Sequence, residues 1–453
     1  MNYDQALQYL EDIQHLGIKF GLDNVGTVLR TLKDPHLAYP SVIVAGSNGK
    51  GSVCAMLGRI LVLHEFNVGV YTSPHLISPR ERIQINDEPI SKWDFARLLT
   101  KLKKNIDRLL AAGVLPSPPT YFETMTCLAF LYFRRKKIDL AVLEVGMGGR
   151  FDATNISRPI VSVITTISLE HQEWLGDTTA QIAAEKAGVI KPDVPVVCGV
   201  EDPDAFDVIL EKSIEVGASF LPVYRDKSWS FDLRDDTYTF EYIGELRVYR
   251  YTPSLPGFHQ GKNAAATICA AEILSRNWKT LSYDKIIKGI ESTQWPGRLE
   301  RIAEEPPIIL DGAHNEEGAL ALKEYIEEFL PGPITLVFAS MRDKSIEAIA
   351  SLLFPAADRI ILTTFPFQKC AAPAELLERI PAEFHSRITS EPDPSQAIPL
   401  ALKWGQASFS QKSFSTPNPD KKSDAPSPGA VVFAGSLFLI GEAKKYFRDN
   451  PFR

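Results

Sequence analysis

Gly46-Ser47-Asn48-Gly49-Lys50-Gly51-Ser52 is the segment best suited to holding a phosphate. Glycines let backbone N–H groups turn toward one point. Lys50 has the reach to meet outer phosphates, and Ser52 offers a hydroxyl to phosphate or Mg²⁺. The strict GxxxxGK[ST] pattern is not met, because Val44 stands where its first glycine belongs and Gly51 separates Lys50 from Ser52. Glu144 closes the apolar run Ile138-Asp-Leu-Ala-Val-Leu143. A carboxylate at the carboxyl end of a parallel strand faces the ligand crevice and suits Mg²⁺. Gly146, Gly148 and Gly149 follow it and allow close backbone approach. His171 lies past another apolar run, beside Glu170; a lone His is more often structural, but its place after a strand favours a site. Arg298 can clamp phosphate oxygens with two N–H donors and neutralise developing charge. Asp311 and His314 end a further apolar run, and His314 has a plainer reading as a cap for a helix starting at Glu316.

These residues need strands and helices to hold them. Apolar runs predict strands at Ser41–Gly46, Asn67–Tyr71, Ile138–Val145, Ile160–Thr165 and Val194–Gly199. Helix-period segments lie between them, near Lys50–Glu65, Lys92–Ala112, Phe122–Lys136 and Thr178–Ala187. Such alternation implies an α/β fold with a parallel sheet. Trp229–Tyr251 alternates apolar and polar residues, with turns at Arg234-Asp235-Asp236 and Ile243-Gly244-Glu245, and predicts an antiparallel meander. A second α/β series follows, with strands Pro307–Leu310, Ile334–Phe338, Arg359–Thr363 and Val431–Ala434 and helices near Glu316–Phe329, Ile346–Leu353 and Ser436–Tyr446. The expected division is 1–297, a phosphate-loop, ATP-binding parallel-sheet domain, and 298–453, a smaller Rossmann-like α/β domain. Residues 407–429, rich in Ser, Pro, Lys and Asp, read as a flexible insertion before the last strand.

The 453 residues are about three times the usual ~150-residue domain, so two or three domains and a sizeable core are expected. Hydrophobic residues at 45% and charged residues at 23% exclude a disordered, collagen-like or disulfide-scaffold chain. The net charge is −7 and no basic block stands out, which disfavours a nucleic-acid binder. Five scattered cysteines without a CxxC pair argue against structural zinc or a disulfide framework and fit a reducing cytoplasm. No signal peptide is seen after Met1, and no run approaches ~18 apolar residues, so no membrane span is expected.

The loop alone says nucleotide. Gly46-Ser-Asn-Gly-Lys-Gly-Ser52 resembles the loop of the folylpolyglutamate synthase/dihydrofolate synthase family, in the Mur ligase superfamily. Other motifs of that family follow in order. They are Thr72-Ser-Pro-His-Leu76, Glu81-Arg-Ile83 with Asn86, Thr120-Tyr-Phe-Glu123, Leu143-Glu-Val-Gly-Met-Gly-Gly-Arg150, Asp152-Ala-Thr-Asn155, His171 with Glu173-Trp-Leu-Gly176, Glu185-Lys-Ala-Gly188, and His259-Gln260 with Asn263. Trp295-Pro-Gly-Arg-Leu-Glu300, Asp311-Gly-Ala-His-Asn315, Thr363-Thr-Phe-Pro366 and Gly435-Ser436 complete the set, so the resemblance spans essentially the whole chain.

The resemblance implies an ADP-forming ligase that joins L-glutamate to dihydropteroate, to reduced folates, or to both, through an acyl phosphate. It implies ATP contacts at Asn48, Gly49, Lys50, Gly51, Ser52, Asn263, Arg298 and Asp311. It implies Mg²⁺, two ions in all, at Ser73, Glu144 and His171, and places Lys50, Lys186, Arg298 and His314 among the catalytic groups. Lys186, otherwise a solvated helix lysine, is carbamylated in related ligases to N6-carboxylysine. Folate contacts are implied at Asp23, Phe122, Glu123, Asp152 and Ala153, although core packing is an equal reading of Phe122 on spacing alone. The chain departs from the family at Asn24 (usually Arg), Ile43 (often His) and Glu170 (usually Asp). The bifunctional type is the leading expectation, as a cytoplasmic monomer whose two α/β domains close on the reacting groups around residues 296–305. A polyglutamylase alone, a Mur-type amino-acid ligase and a nucleotide-binding module without turnover are the alternatives. Only 45 residues precede Gly46, which disfavours a Mur-type chain with an extra leading domain.

Overall fold

Ser41-Val-Ile-Val-Ala45 forms strand β1, and every residue of it is buried. A run that is apolar on both faces suits a parallel strand covered by helices on each side. Strands β2 (Val68–Tyr71), β3 (Ile83–Ile85), β4 (Glu88–Pro89), β5 (Leu140–Glu144), β6 (Pro159–Ile164), β7 (Val196–Cys198) and β8 (Phe220–Pro222) complete its sheet. Their order is β4-β3-β2-β5-β1-β6-β7-β8. The pairs from β2 to β8 are parallel, while β3 and β4 add an antiparallel edge. β1 lies between β5 and β6, and ligands in such sheets bind outside the carboxyl ends where connections diverge.

The computed structural model describes residues 1–14, 17, 21–224, 229–234, 237–330, 332–406 and 429–451. Residues 407–428 of the expected insertion and the expected turn residues 235–236 lie outside the described residues. The chain divides into two compact units, Met1–Ser254 with His259–Gln294, and Leu255–Phe258 with Trp295–Arg453.

In the first unit, the helices Tyr3–Gln14, Asp23–Thr31, Lys92–Ala111 and Tyr121–Lys136 share one apolar core. A second cluster packs Thr179–Lys186 and Pro203–Glu215 near β6 and β7. The expected meander is present as β9 (Trp229–Arg234), β10 (Thr237–Ile243) and β11 (Val248–Tyr251), all antiparallel. Tyr251 from β11 donates its hydroxyl to Gly261 O (2.9 Å), which ties the meander to the helix Phe258–Asn277. The second unit holds β12 (Glu300–Glu304), β13 (Pro307–Leu310), β14 (Ile334–Phe338), β15 (Arg359–Leu362), β16 (Ile388–Ser390) and β17 (Ala430–Ala434). Their order is β12-β13-β17-β14-β15-β16, parallel except for β12. All five cysteines are buried and unbridged. No described helix is long and apolar enough to cross a membrane.

Candidate active site

β1 runs straight into the phosphate loop and then into the helix Lys50–Leu63. Gly46 (φ +143°) and Gly49 (φ +82°) take backbone conformations that side chains rarely adopt. A Cβ on Gly46 would run into Thr165 Oγ1, and one on Gly49 into Asn263 Oδ1. The loop is fastened to the segment after β6. Ser47 N donates to Thr166 O (2.8 Å), Asn48 N to Thr166 Oγ1 (3.0 Å), and Thr165 Oγ1 to Asn48 O (2.5 Å). Ser47 Oγ donates to Ser168 O (3.2 Å) and accepts from Ser168 N (3.0 Å). Lys50 folds back over the loop, with Nζ donating to Gly46 O (2.7 Å) and Ser47 O (2.8 Å). Ser52 is buried in the first turn of the helix, which carries no acidic residue there. That N-terminus therefore keeps its positive dipole end for an anion. Gly49→Ala is expected to weaken nucleotide binding about tenfold or more, because the new methyl is strained at φ +82° and displaces Asn263. Calorimetric titration with ADP checks this; an unchanged Kd would remove Gly49 from the phosphate cradle.

Further sequence candidates lie at and after the neighbouring strand ends. Glu144, buried at the end of β5, accepts from Ser73 N through Oε2 (2.8 Å), so the loop after β2 is set beside it. Its charge reaches the Cys54 thiol, which burial, then Glu144, push well above its ordinary range. Lys186 is 1% exposed. Its Nζ donates to Gly46 O (2.9 Å) and to Glu170 Oε1 (2.7 Å). Burial pushes the Lys186 ammonium down to about 8, against the pull of Glu170. Burial alone would raise the Glu170 carboxyl, but the Lys186 and Lys50 charges outweigh it and hold the group well below the usual carboxylate range. His171, next in the chain, sits at φ +47° and starts the short helix Gln172–Leu175. Among the described residues no three His, Cys, Asp or Glu side chains group as a metal site.

The folate candidates divide. Phe122 places its ring where a Cβ on Gly146 would lie, and it packs 6.0 Å from the Tyr71 ring. Glu123 has its carboxylate on Thr120 N (2.7 Å), while Thr120 Oγ1 accepts from Glu123 N (3.2 Å). That reciprocal pair is a capping box on the helix Tyr121–Lys136. Asp152 accepts from Gly146 N (2.9 Å), Met147 N (3.1 Å), Thr154 N (2.9 Å) and Thr154 Oγ1 (2.5 Å). It shapes the glycine loop after β5, and buried Ala153 follows it. Asp23 is exposed at the start of the helix Asp23–Thr31, and the neighbouring Asn24 donates to Ser117 Oγ (3.4 Å).

In the second unit, Asp311 follows β13, buried, and accepts from Leu299 N (2.7 Å) and Ala313 N (2.8 Å). Burial raises its carboxyl and the Arg298 charge opposes that. Arg298 Nη1 lies 2.5 Å from where a Cβ on Gly312 would be, so only glycine leaves it that place. His314 shares a hydrogen bond between Nδ1 and Gly312 O (2.7 Å). The cap of the helix Glu316–Phe329 is Asn315, whose Oδ1 accepts from Gly318 N, and not His314.

Sequence reading missed the anchoring role of Thr165, Thr166 and Ser168. The available signal was a run of hydroxyl residues directly after a strand that flanks β1. It also left open what Glu170 does; the structure pairs it with Lys186.

Comparison with known proteins identifies the family. The profile of the Mur ligase middle domain matches residues 44–271, and that of the Mur ligase glutamate ligase domain matches residues 297–408. The dihydrofolate synthase/folylpolyglutamate synthase of Bacillus subtilis is 33% identical over 98% of both chains. Its namesake from Mycobacterium tuberculosis is 33% identical over 95% of this chain and 90% of its own. The crystal structure of M. tuberculosis folylpolyglutamate synthase complexed with ADP and AMPPCP superposes with a TM-score of 0.88, at 28% identity, covering 98% of this chain and 99% of that one. E. coli FolC in complex with DHPP and ADP gives 0.84 at 26% identity, covering 100% and 99%. The chain belongs to the dihydrofolate synthase/folylpolyglutamate synthase family of Mur ligases and is an ATP-dependent acid–amino-acid ligase of folate metabolism.

Proposed function

We propose that the enzyme is bifunctional, adding L-glutamate both to dihydropteroate and to folyl-polyglutamates of the tetrahydro form. The cluster of Lys50, Lys186 and Glu170 around the Gly46 carbonyl, beside Glu144 at the end of β5, carries the ligase reading. The double names of the B. subtilis and M. tuberculosis relatives support two acceptors. The acceptor carboxylate attacks the γ-phosphorus of ATP and ADP leaves, giving an acyl phosphate. The amine of glutamate attacks its carbonyl, the tetrahedral adduct expels phosphate, and the ammonium proton is lost. Lys50, with the backbone N–H groups of Gly49, Gly51 and Ser52 and the side chain of Asn48, binds the phosphates and meets the charge that develops on transfer. Asn263 supports the loop at Gly49. To the second unit we assign nucleotide contacts at Arg298 and Asp311 and a place near the reacting groups for His314.

Ser73, Glu144 and His171 fit Mg²⁺, a hard cation served by hydroxyl, carboxylate and imidazole donors with phosphate oxygens completing the shell. When bound, Mg²⁺ supplies Lewis-acid stabilisation of the phosphoryl oxygens. Lys186 fits carbamylation. CO₂ adds only to a neutral amine, and burial already lowers the Lys186 ammonium to about 8. Phe122 offers the pterin a ring face; Asp152 and Glu123 act by fixing backbone around it. Five buried, unbridged thiols suit the cytoplasm. A monomer is the family-based reading.

The test is glutamate-dependent phosphate release with Mg·ATP on dihydropteroate and on tetrahydrofolate. Turnover on both is expected. Turnover on tetrahydrofolate alone would make the enzyme a polyglutamylase, as the Lacticaseibacillus casei relative (33% identical) is named, and would point to Asn24. ¹³C NMR under ¹³CO₂ is expected to show a carbamate signal that Lys186→Arg lacks.

A further inference from the structure

Arg82 ends the short 3₁₀ turn Pro79–Arg82 and leads into β3. It is 8% exposed. A cation taken out of water calls for a partner of opposite charge. Arg82 has none among the described residues. Its Nε donates to His75 Nδ1 (2.9 Å), and its guanidinium lies 5.1 Å from the centre of the Tyr121 ring. A ring nitrogen that accepts brings no negative charge, and a phenol face brings only its quadrupole. The adjacent Glu81 is engaged by the loop itself, accepting from Leu76 N (2.8 Å), Ile77 N (3.2 Å) and Ser78 N (2.7 Å). The two Nη groups of Arg82 have no acceptor among the described residues, and neither is sealed from solvent. The fork therefore faces a space that a ligand can enter.

The strands give that space its place. Tyr71 pairs with Ile83, and Thr72 N donates to Arg82 O (3.0 Å), so Arg82 lies opposite Thr72 at the carboxyl edge of β2. The strand order β3-β2-β5-β1 then sets Arg82, Ser73, Glu144 and the phosphate loop side by side along that edge. β3 and β1 are three spacings apart, about 14 Å, which an arginine side chain does not span. Phe122 follows Tyr121 in the chain, and its ring is 6.0 Å from that of Tyr71. Burial raises the Tyr71 and Tyr121 hydroxyls, and the Arg82 charge is the largest influence opposing it in both. Arg82 thus borders the ring face assigned to the pterin and the Ser73–Glu144 pair, and stops short of the phosphate loop.

We propose that Arg82 clamps the bystander carboxylate of the terminal glutamyl residue while its other carboxylate is phosphorylated at the loop. The inference rests on the polyglutamate reading above. That terminal residue carries an α- and a γ-carboxylate on one short skeleton. Only one can meet the γ-phosphate of ATP, so the other is left close by, in a shielded site. Dihydropteroate has a single carboxylate, the one that reacts, and leaves the fork unused. Arg82 therefore distinguishes a folate from a pteroate and fixes which of two carboxylates is presented. A planar guanidinium suits this task, because it takes a carboxylate through two parallel N–H donors. His75 holds the third donor and so aims the fork.

Steady-state kinetics tests this with dihydropteroate, tetrahydrofolate and two tetrahydrofolates amidated at the α- or the γ-carboxyl. In wild type, the amide that blocks the reacting carboxyl is inert. The other is turned over, with KM about 10–100-fold above that of tetrahydrofolate. In Arg82→Gln, KM for tetrahydrofolate rises by that same factor, kcat stays within about threefold, and the competent amide loses nothing more. KM for dihydropteroate moves by less than about threefold. Equal losses on dihydropteroate and tetrahydrofolate overturn the proposal, since Arg82 then only supports the loop through His75. A wild type that handles the competent amide as well as the acid also overturns it, and that result needs no variant to fold. If the wild type adds glutamate to no folate, the polyglutamate reading falls by itself, and calorimetric binding in Mg·ADP decides Arg82. Equal affinity for tetrahydrofolate and both amides overturns the clamp. A loss on one amide that is absent in Arg82→Gln supports it.

Discussion

Lys50→Met lowers kcat by about 10²–10³-fold, or ~2.7–4 kcal/mol of transition-state stabilisation. The Lys50 ammonium rests on its own loop, 2.7 Å from Gly46 O and 2.8 Å from Ser47 O. On the function proposed above, this is where the outer phosphates of a nucleotide enter, and Lys50 is held there before any nucleotide arrives. Methionine keeps most of the side-chain volume and removes the charge. Gly46 O retains a donor in Lys186, and the loop keeps its ties to Thr166 and Ser168. The loop therefore stays shaped, and the loss falls on phosphoryl transfer more than on ADP affinity. Steady-state kinetics beside ADP titration checks this. A kcat within threefold of wild type would show that another group meets the transferring charge.

With Lys186 unmodified, Glu170→Gln destabilises the metal-free, nucleotide-free protein by about 3 kcal/mol at pH 7. The Lys186–Glu170 pair is almost fully shielded, with side chains 2% and 11% exposed. Removing the carboxylate leaves a buried ammonium with one carbonyl acceptor. The pH dependence has a fixed sign. Glu170 is depressed below its ordinary 4.5, so its contribution is complete above that pH and is lost as pH falls below it. Lys186 is depressed from 10.5 to about 8, so between these values the unfolded chain holds more protons and stability rises with pH. In Glu170→Gln the acid limb flattens, and the alkaline gain begins at lower pH because Lys186 has lost its counter-charge. Urea unfolding at pH 4, 7 and 9 measures both limbs. A loss under about 1 kcal/mol at pH 7 would mean that Lys186 is already neutral in the native state.

Many of the elements that carry the candidate site were legible because their local chemistry is unusual. β13, β14 and the helices Glu316–Phe329 and Ile346–Leu353 fall on their expected bounds, since each is an uninterrupted apolar run or a clear amphipathic segment. The helix Phe258–Asn277 was not legible as an element. Gln260 to Leu274 is buried almost throughout, and a helix surrounded by protein shows no apolar stripe in sequence. The carboxylates were the harder problem. Glu144 and Glu123 are both buried acids, yet Glu123 is spent on its own helix. Thr120-x-x-Glu123 is a capping-box pattern, so the signal was present and competed with the pterin reading. Asp152 had no comparable signal, because its four donors come from a loop whose shape only the fold defines. Glu170 was conspicuous as a departure. The longer side chain still reaches Lys186, so the lysine keeps a carboxylate partner.

The ties between Ser47, Asn48 and the segment Thr165–Ser168 bear on the tempo of the enzyme. A phosphate cradle that must fold around its guest waits for rare openings and spends entropy at each encounter. Here the backbone is already fixed, so nucleotide capture is an encounter between two finished shapes. The amides of Ser47 and Asn48 then stay protected from solvent deuterium with no nucleotide present, and give up their protons only when the central sheet itself opens.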